Sequence, residues 1–478
     1  MTDIEIIKGI IEQKKDVFID ASDKIYNFAE LAYEEVQSAD LLCKILEDEG
    51  FKVERGLADI PTCFMGTFGS GKPIMGILGE FDALPALSQE GGNPVHTPVC
   101  EGGPGHGCGH CLLGAGALAA AVAVKEYLTQ TGSEGTVIYY GCPAEEGAGS
   151  KQFMARAGLF DDCDFCYTWH PATTNDVSAD SGTAIMGANF EFNGVAAHAG
   201  GSPWLGRSAL DAAELMSVGC NYLREHILDG QRIHYAYSDV GGTFPNVVQA
   251  YAKVKYEVRA RTVKEMKALF SRVVKVARGA AEMTETQMNY EITMAFSDYS
   301  SNSVLAKVAS DCLKELGAPE WDDEDYKLAK QFLRSYDKMQ QEGIRTSIAE
   351  ELGDDDLDDL LDKPLHSGVI EYDKTKGRFM GGSSDVGDVG YATPTAEIHV
   401  ATACLGNIGH TWQMAGQAGS RIGHKGMLRA AEAIALSCVR TMEQPEVMKA
   451  ARAEYIKKSG GKYECPLPDY VQPPIGKY

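Results

Sequence analysis

Seven consecutive residues, Gly105-His106-Gly107-Cys108-Gly109-His110-Cys111, bring together two thiols, two imidazoles and three glycines. Thiolate sulfur and imidazole nitrogen are donors suited to Zn²⁺ and its relatives. The glycines allow sharp backbone turns and leave room for an ion. The alternative is a glycine loop whose thiols face the core, since cysteine is among the most buried residue types. The segment runs into Leu112–Leu128, rich in Ala and Leu, which predicts a helix fed by this loop.

Further residues of the same kind lie downstream. Glu145-Glu146 stand between Pro143-Ala144 and Gly147-Ala148-Gly149. Adjacent carboxylates in a tight loop can point different ways, one to bind a metal and one to shuttle a proton; otherwise they are an exposed acidic pair. His170 sits in Thr168-Trp169-His170-Pro171, and His410 sits in the glycine loop Gly406-Asn407-Ile408-Gly409-His410. Each alone reads as a structural histidine before it reads as a ligand. His96, His106, His226, His234, His366, His399 and His424 have no comparable setting.

The elements that must position these groups alternate in type. Residues 3–50 carry apolar positions at helical spacing, and Glu49-Gly50 gives a helix end. Short apolar strands are predicted at Phe64–Phe68, Ile74–Leu78, Thr136–Tyr140 and Phe165–Trp169, with helices at 112–128 and 151–157 between them. This alternation predicts an α/β domain with a mostly parallel sheet, whose ligands gather outside the carboxyl ends of the strands. Glu80 and Asp82, Glu145 and Glu146, and His170 follow three separate strands. From about Gly182 the strands lengthen and alternate (188–193, 233–237, 247–258, 287–295), separated by helices at 207–226 and 263–283. That pattern suits an inserted α+β domain. The acidic run at 354–359 reads as a solvated helix face or loop. Sheet-like sequence returns at 395–402, and a helix closes the chain at 425–442.

The chain has 478 residues, with 44 Lys and Arg against 68 Asp and Glu, a formal charge of -24. Such a surface repels phosphate backbones and anionic membranes, so nucleic acid and membrane are not expected partners. No uncharged apolar run approaches the roughly 18 residues needed to span a bilayer. The 13 cysteines are scattered and odd in number, and no secretory signal pattern precedes them. Reduced thiols and a cytoplasmic location are therefore expected.

In combination these motifs resemble the metal-dependent amidohydrolases of the aminoacylase and carboxypeptidase superfamily, in the branch of hippurate and indole-acetyl-amino-acid hydrolases. The resemblance rests on Leu78–Leu84, Gly105–His110, Gly141–Gly147, Trp169-His170-Pro171, Gly194–Ala199, Pro245–Gln249, Ser384–Val389 and His410–Gln413, in order along almost the whole chain. It implies a catalytic domain of residues 1–183 and 298–478, with a lid or dimerisation domain at 184–297. It also implies two divalent metals, Mn²⁺ or Zn²⁺, held by Cys108, His110, Glu146, His170 and His410. Glu145 would be the general base and acid, and Asp82 would orient a ligand. His198 would stabilise an oxyanion, in the partner subunit's site, while Asn246 and Arg259 would contact substrate. The implied reaction is hydrolysis of an N-acyl or N-aroyl amino acid, aminobenzoyl-glutamate first, by a homodimer or a heteromer with a paralogous subunit. A dipeptidase or aminoacylase of the same fold, or an idle partner subunit, are the competing readings. Two positions depart from the wider family: Cys111 replaces an acidic residue after Cys-Gly-His, and Glu80 stands where Asp or His is usual.

Overall fold

The computed structural model describes residues 1–177, 179–353 and 357–477. Among the described residues, ten strands fall into two sheets. The first six-stranded sheet contains β1 (Lys52–Arg55), β2 (Phe64–Ser70), β3 (Ile74–Glu80), β4 (Gly135–Cys142), β5 (Phe165–Ala172) and β10 (Thr395–Ala401), in the order β1-β2-β4-β3-β5-β10. Strands β4, β3, β5 and β10 are mutually parallel, while β1 and β2 add an antiparallel edge. The expected mostly parallel sheet is therefore present, and β3 lies at its centre.

Helix His110–Thr131 packs across this sheet. Its residues are small and apolar on every side, and it is buried along nearly its whole length. Gly114 and Gly116 permit that close packing. A Cβ at Gly114 would lie 2.7 Å from the Glu80 carbonyl oxygen, and one at Gly116 would lie 2.9 Å from the Trp169 ring. Against the sequence expectation, this helix is long and apolar enough to cross a membrane by length and composition. The physical reason is its place in the fold: 89% of its most apolar stretch is buried within the protein. Helices Asp3–Phe28 and Arg421–Met442 cover it, bringing Ile7, Ile11, Phe18, Ile434 and Val439 into one core. The first of these begins in a capping box, where Thr2 accepts from the Glu5 backbone and Glu5 accepts from that of Thr2.

The second sheet is antiparallel and lies wholly between Ala184 and Phe296, in the order β7-β8-β6-β9. Its strands are β6 (Ala184–Asn193), β7 (Arg232–Asp239), β8 (Tyr251–Ala260) and β9 (Gln287–Phe296), with helices Ala209–Leu223 and Val263–Thr284 packed on one face. The predicted strand at 247–258 begins later, at Tyr251, because Asn246 and Val247 are occupied by backbone pairing with the His198 loop. The polar stretch after residue 318 is more ordered than its composition suggested. It forms helices Asp323–Arg334 and Lys338–Leu352, each started by a capping box. Of the acidic run, Asp354–Asp356 lie outside the described residues, while Asp358 and Asp359 open the helix Leu357–Asp362. Such acids favour a helix start. All 13 cysteines are free.

The Gly114 contact gives a test of this packing. Gly114→Ala should press on the β3 backbone at Glu80, cost about 1–3 kcal/mol as overpacking does, and lower the melting temperature by several degrees. Ala at the exposed Gly9, where an added Cβ meets nothing, serves as the control and should not destabilise.

Candidate metal centre

The strand ends of the first sheet converge on the loop Gly105–Gly109. Glu80 closes β3, with Asp82 two residues beyond. The loop carrying Glu145 and Glu146 leaves β4, and His170 lies in the last turn of β5. His110 is the first residue of its helix, set by Gly109 at φ 80°. His410 has φ 55° and donates its backbone N–H to the Gly107 carbonyl at 2.9 Å, which draws a distant loop onto the site.

Three groups of donor atoms result among the described residues: one of Glu80, His110 and Glu145, and two that share Cys108. Those of Cys108, His110 and His170 lie within 4.8 Å of one another, as do those of Cys108, Glu146 and His410. Cys108 Sγ is common to both and lies 3.4 Å from His170 Nε2. All five sequence-predicted ligands are thus brought together. Both core histidines have their outer nitrogens engaged. His110 Nδ1 is 2.9 Å from Asp82 Oδ1, and His170 Nδ1 is 2.8 Å from the Pro171 carbonyl oxygen. Each acceptor calls for a proton on Nδ1, which leaves Nε2 as the nitrogen for the centre. Burial acts to lower the His110 pKa, but Cys108 and Asp82 raise it well above the usual value, so that ring binds a cation by giving up its Nε2 proton.

The donors fit divalent metals on three counts. His110 Nε2 and Glu146 Oε1 are buried without a hydrogen-bond partner, which is costly unless a cation completes them. Burial pushes the Cys108 thiol up to about 12, so its thiolate needs a neighbouring cation at neutral pH. Burial also raises the Glu146 carboxyl, but His410 and His110 more than offset this and hold it at about 2. That carboxylate is therefore ready to serve as a ligand.

Asp82 does more than orient one imidazole. Its second oxygen accepts from the Glu146 backbone N–H at 2.9 Å, joining the two donor groups that share Cys108. Glu145, beside Glu146, is pushed well above the ordinary range, first by burial and then by the charges of Glu80 and Asp385. A carboxylate of raised basicity is suited to take up a proton. Its loop is held from behind. Buried Glu35 accepts from the Ala144 N–H at 2.8 Å, where φ is 62°, and Asp385 accepts from the N–H groups of Ser150 and Lys151. Cys111, the departure after Cys-Gly-His, turns into the core and belongs to none of the groups.

Residues 76–336 match the peptidase family M20/M25/M40. Over 471 residues, 98% of each chain, the sequence is 40% identical to one of the subunits of p-aminobenzoyl-glutamate hydrolase from Escherichia coli K12. The chain belongs to the M20/M25/M40 peptidase family. Solved structures agree on the fold. A putative aminohydrolase from methicillin-resistant Staphylococcus aureus superposes with TM-score 0.63 at 18% identity, covering 92% of this chain and 99% of that one. A dinuclear metal-binding peptidase of the M20 family from Bacillus subtilis gives TM-score 0.57 at 15% identity, covering 90% and 99%.

The inserted-sheet residues lie apart from this M20 centre. His198 is exposed, and its Nδ1 accepts from the N–H groups of Gly200 and Gly201 at 3.1 and 3.0 Å. Those two donors engage Nδ1, so Nε2 is the nitrogen the ring can offer to another group. Asn246 is exposed beside it, its carbonyl oxygen accepting from Ala199 N. Arg259 lies with Ser383 Oγ at 3.1 Å and the Gly381 carbonyl at 3.3 Å, fastening the second sheet to that glycine segment.

Three residues to which the sequence assigned no role stand next to the centre. Glu80 lies against His110, and Lys151 is fully buried against Glu80. His399 sits beside His170 in the β10–β5 register, between Asp176 at 3.0 Å and Glu397 at 3.1 Å. Burial acts to lower its pKa, but these two carboxylates raise it well above the usual value. The signal for His399 was present in the alternation Glu397-Ile398-His399, which puts both residues on one face of the strand. A cavity of about 620 Å³ opens from Cys108 and His170 and reaches His399, Glu351 and Arg378.

Because the Cys108 thiol must lose its proton to bind, metal uptake by the metal-free protein should release at least one proton per chain at pH 7. Affinity should rise with pH below the thiol's pKa of about 12. Pipetting metal into weakly buffered protein with a pH indicator measures the release, and in Cys108→Ala both the release and tight binding should disappear.

Proposed function

We propose that this chain hydrolyses the amide bond of an N-aroyl or N-acyl amino acid, with aminobenzoyl-glutamate the first substrate to test. The observation that carries this reading is the pair of donor groups sharing Cys108, with Glu145 alongside. Support for the substrate comes from the E. coli hydrolase subunit, 40% identical over 98% of both chains. Cys108, His110, Glu146, His170 and His410 would hold two divalent ions, Zn²⁺ or Mn²⁺. When bound, such ions polarise the scissile carbonyl and acidify water.

The chain's own groups supply the rest. Glu145 takes a proton from the attacking water on its carboxylate and returns it to the leaving nitrogen. Asp82 keeps His110 in one tautomer and holds Glu146 through its backbone. Exposed His198, its Nδ1 already engaged, can donate from Nε2, which suits it to complete the site of a second chain. Such a donor to a developing oxyanion is worth about 3–4 kcal/mol. Around it Trp204 and Phe244 are 70% and 73% exposed, and β7 is an edge of its sheet among the described residues. An edge of that kind can pair with another chain. The partner is a second copy or a paralogous subunit, the latter favoured by the word "subunit" in the name of the E. coli relative.

Turnover of aminobenzoyl-glutamate and a panel of N-acyl amino acids by the metal-loaded protein tests the activity. No cleavage by a chain carrying two metals, alone or with a paralogue, would falsify the reading. Glu145→Gln should keep its metals and lose about 10²–10⁴ in kcat. Loss of metal instead would exchange the roles of Glu145 and Glu146.

Mixing Glu145→Gln chains with His198→Ala chains should restore part of the activity, since one hybrid site would then be whole. No recovery after demonstrated subunit exchange would confine His198 to its own subunit.

A further inference from the structure

Glu80 is 2% exposed at the end of the central strand. Its Oε1 lies 2.6 Å from Lys151 Nζ, and its Oε2 lies 3.4 Å from His110 Nε2. Lys151 is itself fully buried, and Nζ is also 2.5 Å from Asp385 Oδ1. One ammonium thus serves two buried carboxylates, so any further positive charge for them must come from the side of His110. An uncompensated charge in the interior is costly.

The contact between Glu80 and His110 shows how that positive charge can be supplied. His110 Nδ1 is engaged by Asp82, and its Nε2 has no hydrogen-bond partner that meets normal geometry. Nε2 faces a Glu80 carboxylate oxygen at 3.4 Å. One positive charge can serve both atoms: a proton on Nε2 in the metal-free protein, or a metal ion that displaces it. A carboxylate oxygen of Glu145 shares this space, since the donor atoms of Glu80, His110 and Glu145 all lie within 4.8 Å of one another.

We propose that Glu80 is a sixth protein ligand of the centre, binding through Oε2 to the metal that His110 holds, and that Lys151 is the positioning residue that aims it. Lys151 takes one carboxylate oxygen and leaves the other facing His110. Asp385 fixes Lys151 from behind by accepting from its backbone N–H at 3.0 Å and from its ammonium. This proposal rests on the two-metal reading above, and the same experiment tells the two apart.

Co²⁺ titrated into metal-free protein, followed by elemental analysis and visible absorption, provides the test. The native chain should take up two ions. Glu80→Gln preserves volume and leaves Lys151 balanced by Asp385, and the melting temperature of the metal-free variant gives the baseline from which its metal effect is read. Its weaker ion should bind roughly 10–100-fold less tightly, the absorption bands should shift, and metal should raise its melting temperature less. Glu80→Asp keeps the charge and the Lys151 pair but withdraws the oxygen by one methylene. It should show the same loss, which covers the case in which Glu80→Gln does not fold. Unchanged affinity and spectrum in these variants would overturn the proposal and leave Glu80 as a counter-ion to Lys151 and a protonated His110. A lower melting temperature of the metal-free variant with an undiminished metal effect would do the same. Failure of the native chain to bind any metal would remove the two-metal reading and this proposal with it.

Discussion

The centre depends on one carboxylate. Asp82 projects from the exit of the central strand β3 and spends each oxygen on a different half of the site: Oδ1 on His110 Nδ1 and Oδ2 on the Glu146 backbone. The helix that begins at His110 and the loop that leaves β4 are thereby set against each other by a group only 1% exposed. Hydrogen bonds to an ionised acceptor are about twice as strong as neutral ones. In a site where sub-ångström misplacement matters, a single short, buried side chain is a stiffer link than packing between the helix and the loop. The central position of β3 in the sheet order is what allows this, since the β4 loop and His170 of β5 lie on either side of it.

Two loops at the centre carry backbone strain. Ala144 and His410 both adopt the left-handed region, which costs a non-glycine residue about 1 kcal/mol or more. Both are held by bonds from outside their own segments: Ala144 by Glu35, His410 by the Gly107 carbonyl. Glu35 also accepts from Tyr33 N and Thr62 Oγ1, and the Tyr33 hydroxyl reaches the Gly149 carbonyl. Burial, then the charge of Asp82, raises the Glu35 carboxyl to about 8. The strain is local, and the compensation comes from the first helical hairpin and the far end of the chain.

What was legible in the sequence follows from what sequence encodes locally. The ligands Cys108, His110, Glu146, His170 and His410 stand at strand exits and in glycine loops, and a parallel sheet brings such exits to one edge. Motif resemblance then supplied the grouping that spacing alone left open. The role of Lys151 was not legible, and those of Glu80 and His399 were signalled only by a strand exit and by the Glu397-Ile398-His399 alternation, because the contacts that complete them join segments far apart in sequence. Lys151 reads as an ordinary charged residue at a helix start, and only the pairing of β3 with β4, which sets Glu80 opposite Cys142, buries it against Glu80. The helix His110–Thr131 failed in the other direction. Its composition resembles that of a membrane span, and tertiary burial, which composition does not record, decides its place.

Electrostatics connects the centre to the stability of the whole catalytic sheet. Glu80, Asp82, Glu145, Glu146 and Asp385 converge on a region whose one buried ammonium is that of Lys151 among the described residues that face them. Cys108 adds a further potential anion once its proton is lost. Without cations, burial keeps the Cys108 thiol protonated and pushes the Glu145 carboxyl upward, so these two groups favour their neutral forms while Glu146 stays ionised beside His410 and His110. With cations the same burial works in the opposite sense, because a low-dielectric surround strengthens each ion–ligand attraction. The apolar helix behind the site is therefore part of the metal chemistry. By excluding water from His110 and Asp82 it makes the ligand set costly when empty and tightly binding when filled, which couples metal binding to folding.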